Sequence, residues 1–152
     1  MALRLRLEEL RAENPHKYPR DYAAELGISE AELTPFFYGG RVQALHDVAA
    51  VLAALSQVPR VKLMARVSYA VLEIFSNVHF SLKRGLLVSE ADSCYVALNP
   101  TEIGSLFYLS PEKVGDNAAI LLFDRQGSAA LKFYIAAHDF DEIIAGNQVD
   151  ET

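Results

Sequence analysis

The chain changes its period at Pro59. Before that point apolar residues recur three and four apart; after it they gather into short runs of β-branched and aromatic residues divided by turn residues, so helices must come first and strands second. Leu3, Leu7 and Leu10 share one helical face and Glu8, Glu9 and Arg11 the other, which predicts an amphipathic helix over Leu3–Ala12. The stretch Asn14-Pro15-His16-Lys17-Tyr18-Pro19 ends it, because proline lacks a backbone donor and pushes the preceding residue out of the helical region. A second short helix is expected from Arg20 to Leu26, with Gly27 suited to the left-handed turn behind it. Ser29 followed by Glu32 has the spacing of a capping box and opens a third. Beyond Gly39-Gly40, residues Leu45, Val48, Ala49, Leu52 and Leu55 predict a further helix ending near Pro59.

From Val61 onward the runs Tyr69 to Phe75, Gly85 to Val88, Cys94 to Leu98 and Leu106 to Leu109 read as strands. Ala118 to Phe123 and Ala129 to Ile135 form a hairpin across Asp124-Arg125-Gln126-Gly127, whose glycine suits a loop position of positive φ. Helices followed by strands imply an α+β fold, the N-terminal helices packed on one face or end of a mostly antiparallel β-sheet. The 152 residues fit one domain: a helical part over 1–58, a sheet over 59–137, and a short C-terminal helix and tail over 138–152.

Several chemistries are disfavoured. Cys94, the single cysteine, can form no disulfide within the chain, and the opening residues lack the pattern of a secretory signal, so the expected compartment is the cytoplasm. No apolar run approaches the roughly 20 residues that cross a bilayer, so no membrane span is expected. A formal charge of −6 argues against nucleic acid as a partner, since that affinity comes from Lys and Arg displacing counterions. Asp21 to Leu33 has the outline of a helix-turn-helix, but its second helix would offer Glu30 and Glu32 to the DNA where readers carry Arg, Lys, Asn or Gln. The histidines at 16, 46, 79 and 138 are too scattered for a structural zinc site, and neither a nucleophile elbow nor a phosphate-binding loop occurs.

Three stretches carry a family resemblance. Asn14 to Asp21 running on through Leu26-Gly27-Ile28-Ser29-Glu30-Ala31-Glu32-Leu33 resembles the opening of bacterial haem-utilisation proteins, the haemin-degrading and haem-carrier proteins of the HemS/ChuS type. Arg66-Val67-Ser68-Tyr69-Ala70-Val71-Leu72-Glu73 is similar to the family's Arg-x-x-Tyr-Ala-Val-His-Glu strand. Leu121 to Tyr134 is similar to its Phe-Asp-x-x-Gly hairpin. The resemblance covers nearly the whole chain but one half of the longer, tandem members. It implies haem as ligand and, by analogy with single-domain relatives of the ChuX/HutX type, a homodimer.

The resemblance also proposes a site. Of the family's Asn-x-His-x-x-Gly-His stretch, this chain keeps the first histidine as His79 and has Lys83 at the second; Leu72 stands where the strand motif has histidine. Haem needs an axial donor from His, Cys, Tyr or Met, an apolar slot and cations for its propionates. His79 is followed by Phe80, Lys83 and Arg84, which together could serve iron, porphyrin and propionates; Tyr95 is a second donor by its phenolate. The site expected on this basis is His79, Lys83, Arg84 and Tyr95, with His79 as the metal ligand. The plainer reading makes His79 an exposed strand histidine, the cations a solvated turn, Tyr95 a packing residue and Cys94 a buried small hydrophobe. His46 and His138 each precede an aspartate, which would raise their pKa values if the side chains met. The leading expectation is a haem-binding protein for storage, delivery or utilisation. The alternative keeps the fold in a structural or regulatory role without haem; haem degradation and DNA binding rank below both.

Overall fold

The computed structural model describes residues 2–67, 69–91 and 94–136. Helices α1 (Ala2–Glu13), α2 (Pro19–Leu26) and α3 (Glu30–Tyr38) come first, then strand β1 (Val42–Leu45) and helix α4 (Val48–Leu55). The strands β2 (Val61–Val67), β3 (Ala70–Ser76), β4 (Phe80–Lys83), β5 (Leu86–Ala91), β6 (Cys94–Leu98), β7 (Ile103–Leu109), β8 (Asn117–Asp124) and β9 (Ala129–Ala136) follow. They form two antiparallel sheets, one of six strands in the order β1-β7-β8-β9-β2-β3 and one of three, β4-β5-β6. The α+β class is thus as the sequence predicts, with the sheet divided in two. The C-terminal helix expected over 138–152, and His138 with it, lies outside the described residues.

The large sheet is covered on both faces. On one, Ile120, Leu122, Phe133, Ile135 and Leu63 pack with Val51, Leu52 and Leu55 of α4 and with Val78, Leu87 and Cys94 from around the small sheet. On the other, Ala119, Leu121 and Phe123 meet Ala31 and Tyr38 of α3. β8 therefore buries both its faces, which is why its sequence runs apolar without alternation. Helices α1 to α3 share a smaller core of Leu7, Tyr22, Ala23, Leu26 and Leu33.

Local signals explain the joints. Ser29 accepts from the backbone N–H of Glu32 at 3.1 Å while the Glu32 carboxylate accepts from the N–H of Ser29 at 3.0 Å, the reciprocal capping box. Gly27 closes α2 at φ 70°. Arg84 and Gly85, with φ 52° and 80°, make the two-residue turn of the β4–β5 hairpin, a geometry whose twist matches the flanking strands. One expectation needs correction: Leu45 does not open α4 but ends β1, paired with Leu106, and Asp47 caps the helix by accepting from the N–H of Ala50 at 3.0 Å. The helical spacing of Leu45 with Val48 hid a strand whose partner lies far along the chain.

One joint positions the site. The N-terminus of α3 seats on the β8–β9 loop, where the N–H of Ala31 donates to the Gly127 carbonyl at 2.9 Å. Gly127 has φ 85°, and a Cβ there would come within 2.5 Å of Ser29, so only glycine allows this approach.

Candidate functional site

Where α2, α3 and the loop meet the outer face of β2 and β9, a cleft of about 330 Å³ opens. Tyr18, Pro19 and Arg20 at the start of α2 and Glu30 at the start of α3 form one wall; Met64, Arg66 and Val67 of β2 and Ser128, Ala129, Leu131 and Lys132 of the second hairpin form the other. Alternation along the strands decides who enters. Leu63 and Phe133 point into the core, so Met64 and Lys132, which pair directly across β2 and β9, point into the cleft. Tyr18 is held by its backbone N–H, which donates to the Asp21 carboxylate at 3.1 Å.

The cleft is positively charged. The Arg66 guanidinium lies 4.6 Å and that of Arg20 5.9 Å from the centroid of the Tyr18 ring. Among the described residues the ion pairs are Lys17 with Glu25, Arg20 with Asp21 at 3.9 Å and Lys62 with Glu73 at 4.0 Å, so Arg66 and Lys132 have no carboxylate within that range. Burial pushes the Lys132 ammonium below the usual lysine value; Glu30 opposes the shift, and the guanidiniums of Arg66 and Arg20 add to it. Beside the cleft on the same sheet face, burial raises the phenols of Tyr38 and Tyr134. Three cations, one carboxylate, an aromatic ring and a thioether make a receptor for an anion with apolar surface.

The residues expected from sequence lie elsewhere. Phe80 packs against the main core, so His79 and Lys83 point to the opposite face of the small sheet, and the pairing of Tyr95 with Glu90 puts Tyr95 on that face too. All three are exposed, Tyr95 to 65%, and Arg84 sits at the hairpin tip. They are also spread out: four strand residues put His79 and Lys83 about 13 Å apart, and two strand spacings put His79 and Tyr95 about 10 Å apart. His79 is tied locally, its N–H donating to Ser89 Oγ at 2.8 Å and its Nε2 lying 3.1 Å from Asn77 Nδ2. Cys94 is buried in the core and faces away from them. Leu72, on β3 opposite Ala65, is 58% exposed.

No protein-family model matches the sequence. The chain is 39% identical over 133 residues to the hemin transport protein HmuS of Yersinia pestis and 37% over 132 residues to the hemin transport protein HemS of Yersinia enterocolitica, in each case 84% of this chain and 38% of the relative. The chain belongs to the haem-utilisation family. Among solved structures of similar fold, the heme degrading enzyme ChuS of Escherichia coli O157:H7 matches with a TM-score of 0.80 at 29% identity, over 95% of this chain and 46% of ChuS. The heme-binding protein ChuX has the same fold at 14% identity, TM-score 0.72, and there the match takes in 93% of this chain and 97% of the other. The chain therefore spans less than half the length of HmuS, HemS and ChuS and nearly all of ChuX.

Membership of the haem-utilisation family gives the cleft added meaning. The three stretches that carry the resemblance in sequence are far apart along the chain, yet each sends residues into this one cavity: Tyr18, Arg20 and Glu30 from the first, Arg66 and Val67 from the second, Ser128, Ala129, Leu131 and Lys132 from the third. Sequence reasoning overlooked them because a cation that alternates with core residues in a strand looks like an ordinary solvated side chain until its neighbours across the cleft are known.

Proposed function

We propose that this chain binds haem or a related tetrapyrrole, for storage, delivery or utilisation, in the cleft between α2, α3 and the β2–β9 face. The observation that carries the proposal is the convergence of the three family stretches on a cavity lined by Arg20, Arg66 and Lys132. Haem is a flat apolar ring with two carboxylates, and the cleft offers Tyr18, Met64 and Val67 for the ring and guanidiniums for the propionates. Its volume of about 330 Å³ lies at the small end of ligand pockets, about 300–1,000 Å³, so part of the ring stays outside. No described histidine lines the cleft; His16, exposed and two residues before Tyr18 in sequence, is the axial donor this reading puts to the test. Bound haem would supply redox-active iron; the chain's part is to orient the ring and neutralise its carboxylates.

The face of His79, Lys83, Arg84 and Tyr95 is the rival location, favoured by the retained histidine of the family motif. A titration of ferric haem followed by its Soret band separates the two. Arg66→Ala with Lys132→Ala is expected to weaken a saturable site at least tenfold, and His16→Ala to alter the shape of the band, while His79→Ala and Tyr95→Phe leave both unchanged. A shift lost with His79→Ala moves the ligand to the small sheet, and absence of saturable binding leaves the structural or regulatory reading.

Two further proposals accompany this one, a cytoplasmic location and a homodimer. No helix among the described residues is long and apolar enough to cross a membrane. The homodimer is favoured by exposed apolar side chains on the two sheets. Leu72 and Leu82 lie on the core-facing sides of β3 and β4, yet are 58% and 69% exposed, and β3 is the free edge of the large sheet.

A further inference from the structure

Lys132 is an amine in an unusual place. It projects from β9 into the cleft among Met64, Ala129 and Leu131, with Arg66 from β2 and Arg20 from α2 as its cationic neighbours and Glu30 from α3 as the carboxylate on the opposite wall. Two of the chain's other four lysines are held by carboxylates, Lys17 by Glu25 and Lys62 by Glu73, and the remaining two, Lys83 and Lys113, are exposed. Anion capture alone would be served by a third guanidinium. A primary amine, desolvated and beside two fixed positive charges, has a second chemistry, because both conditions weaken its hold on the proton that masks its lone pair.

We propose that Lys132 is a reactive amine, forming reversible imines with small aldehydes and 2-oxo acids that carry a carboxylate. Arg20 and Arg66 hold the carboxylate and so bring the neighbouring carbonyl carbon to Nζ. The lone pair of Nζ forms the C–N bond as the carbonyl π pair moves to oxygen; that oxygen takes one proton from water and nitrogen gives one back. The resulting hydroxyl, protonated again, departs as water while nitrogen loses its second proton and the C=N bond forms. One water is released and nothing is oxidised or reduced. The depressed affinity of Lys132 for its proton agrees with this role, since only the neutral amine attacks. The inference rests on the cleft but not on haem as its occupant.

The deciding comparison uses the parent chain. The full chain is incubated at pH 7 with glyoxylate and cyanoborohydride, which fixes any imine as a secondary amine, and the five lysines are compared by peptide mass mapping. Lys132 is expected to be modified at least tenfold faster than exposed Lys83 and Lys113. Acetaldehyde, of similar size but without the carboxylate, is expected to lose that preference, and Arg66→Met to slow Lys132 at least fivefold while leaving Lys83 unchanged. Modification that follows exposure, with Lys83 and Lys113 first, overturns the proposal, as does equal selectivity for acetaldehyde. Selective labelling in a chain that binds no haem removes the haem reading and leaves this one; haem binding without selective labelling does the reverse.

Discussion

A lysine placed where its proton is disfavoured makes the folded chain pH-sensitive in a defined direction. The folded state holds the Lys132 proton less tightly than the unfolded chain does, so the destabilisation is fully present below the folded-state pKa and fades as pH rises through that value toward the ordinary 10.5. Lys132→Met is therefore expected to unfold at a higher temperature than the parent at pH 7, by an amount that narrows as the pH approaches 10. Thermal melts of the two chains at matched pH check this. The comparison between chains matters, because Tyr38 and Tyr134 act oppositely: their phenols are raised above 10.0, so their contribution is present below that value and is lost as pH climbs beyond it. Both chains share that loss, and it cancels.

Among the elements, the hinge between helices and sheet is the contact of α3 with the β8–β9 loop. Gly127→Ala would force an L side chain into the left-handed region and drive its Cβ to within 2.5 Å of Ser29. A loss of about 2 kcal/mol or more is expected in denaturant unfolding, with weaker ligand binding because Glu30 and Ser128 would separate. Much at this scale was legible in the sequence. The capping box at Ser29 and Glu32, the left-handed Gly27 and the Gly127 hairpin are decided by residues close together along the chain, and all occur as read. β1 was not legible, since its four residues pair with β7, whose residues lie more than fifty positions away, and a strand defined only by a distant partner leaves no local period. The division into two sheets escaped notice for the same reason: no residue records which strands pair.

Across the whole molecule the core-facing sides of the strands are not equally covered. Where the core is full, Leu52 and Phe133 have no solvent exposure; on β3 and β4, Leu72 and Leu82 carry the same inward direction yet are largely exposed. A second copy packed on those side chains would cover them and the free edge of β3. The chain is expected to sediment as a dimer, and Leu72→Glu with Leu82→Glu to give a monomer with an unchanged circular dichroism spectrum, since neither residue belongs to the buried core. Sedimentation as a monomer by the parent chain removes the dimer. The candidate site is distributed in a comparable way at this scale. Its cations come from α2, β2 and β9, and only the folded topology gathers them, so the sequence could supply the family stretches but not the cavity between them.

The hydrogen bond from Ala31 to Gly127 joins the two walls of that cavity. Any occupant that touches both walls shares its binding energy with this joint, so filling the cleft and docking the helical layer are two views of one equilibrium. The layer of α1 to α3, whose own core is five buried residues, would then be the part of the fold whose persistence reports on whether the cleft is filled, while the sheets beneath it need not respond at all.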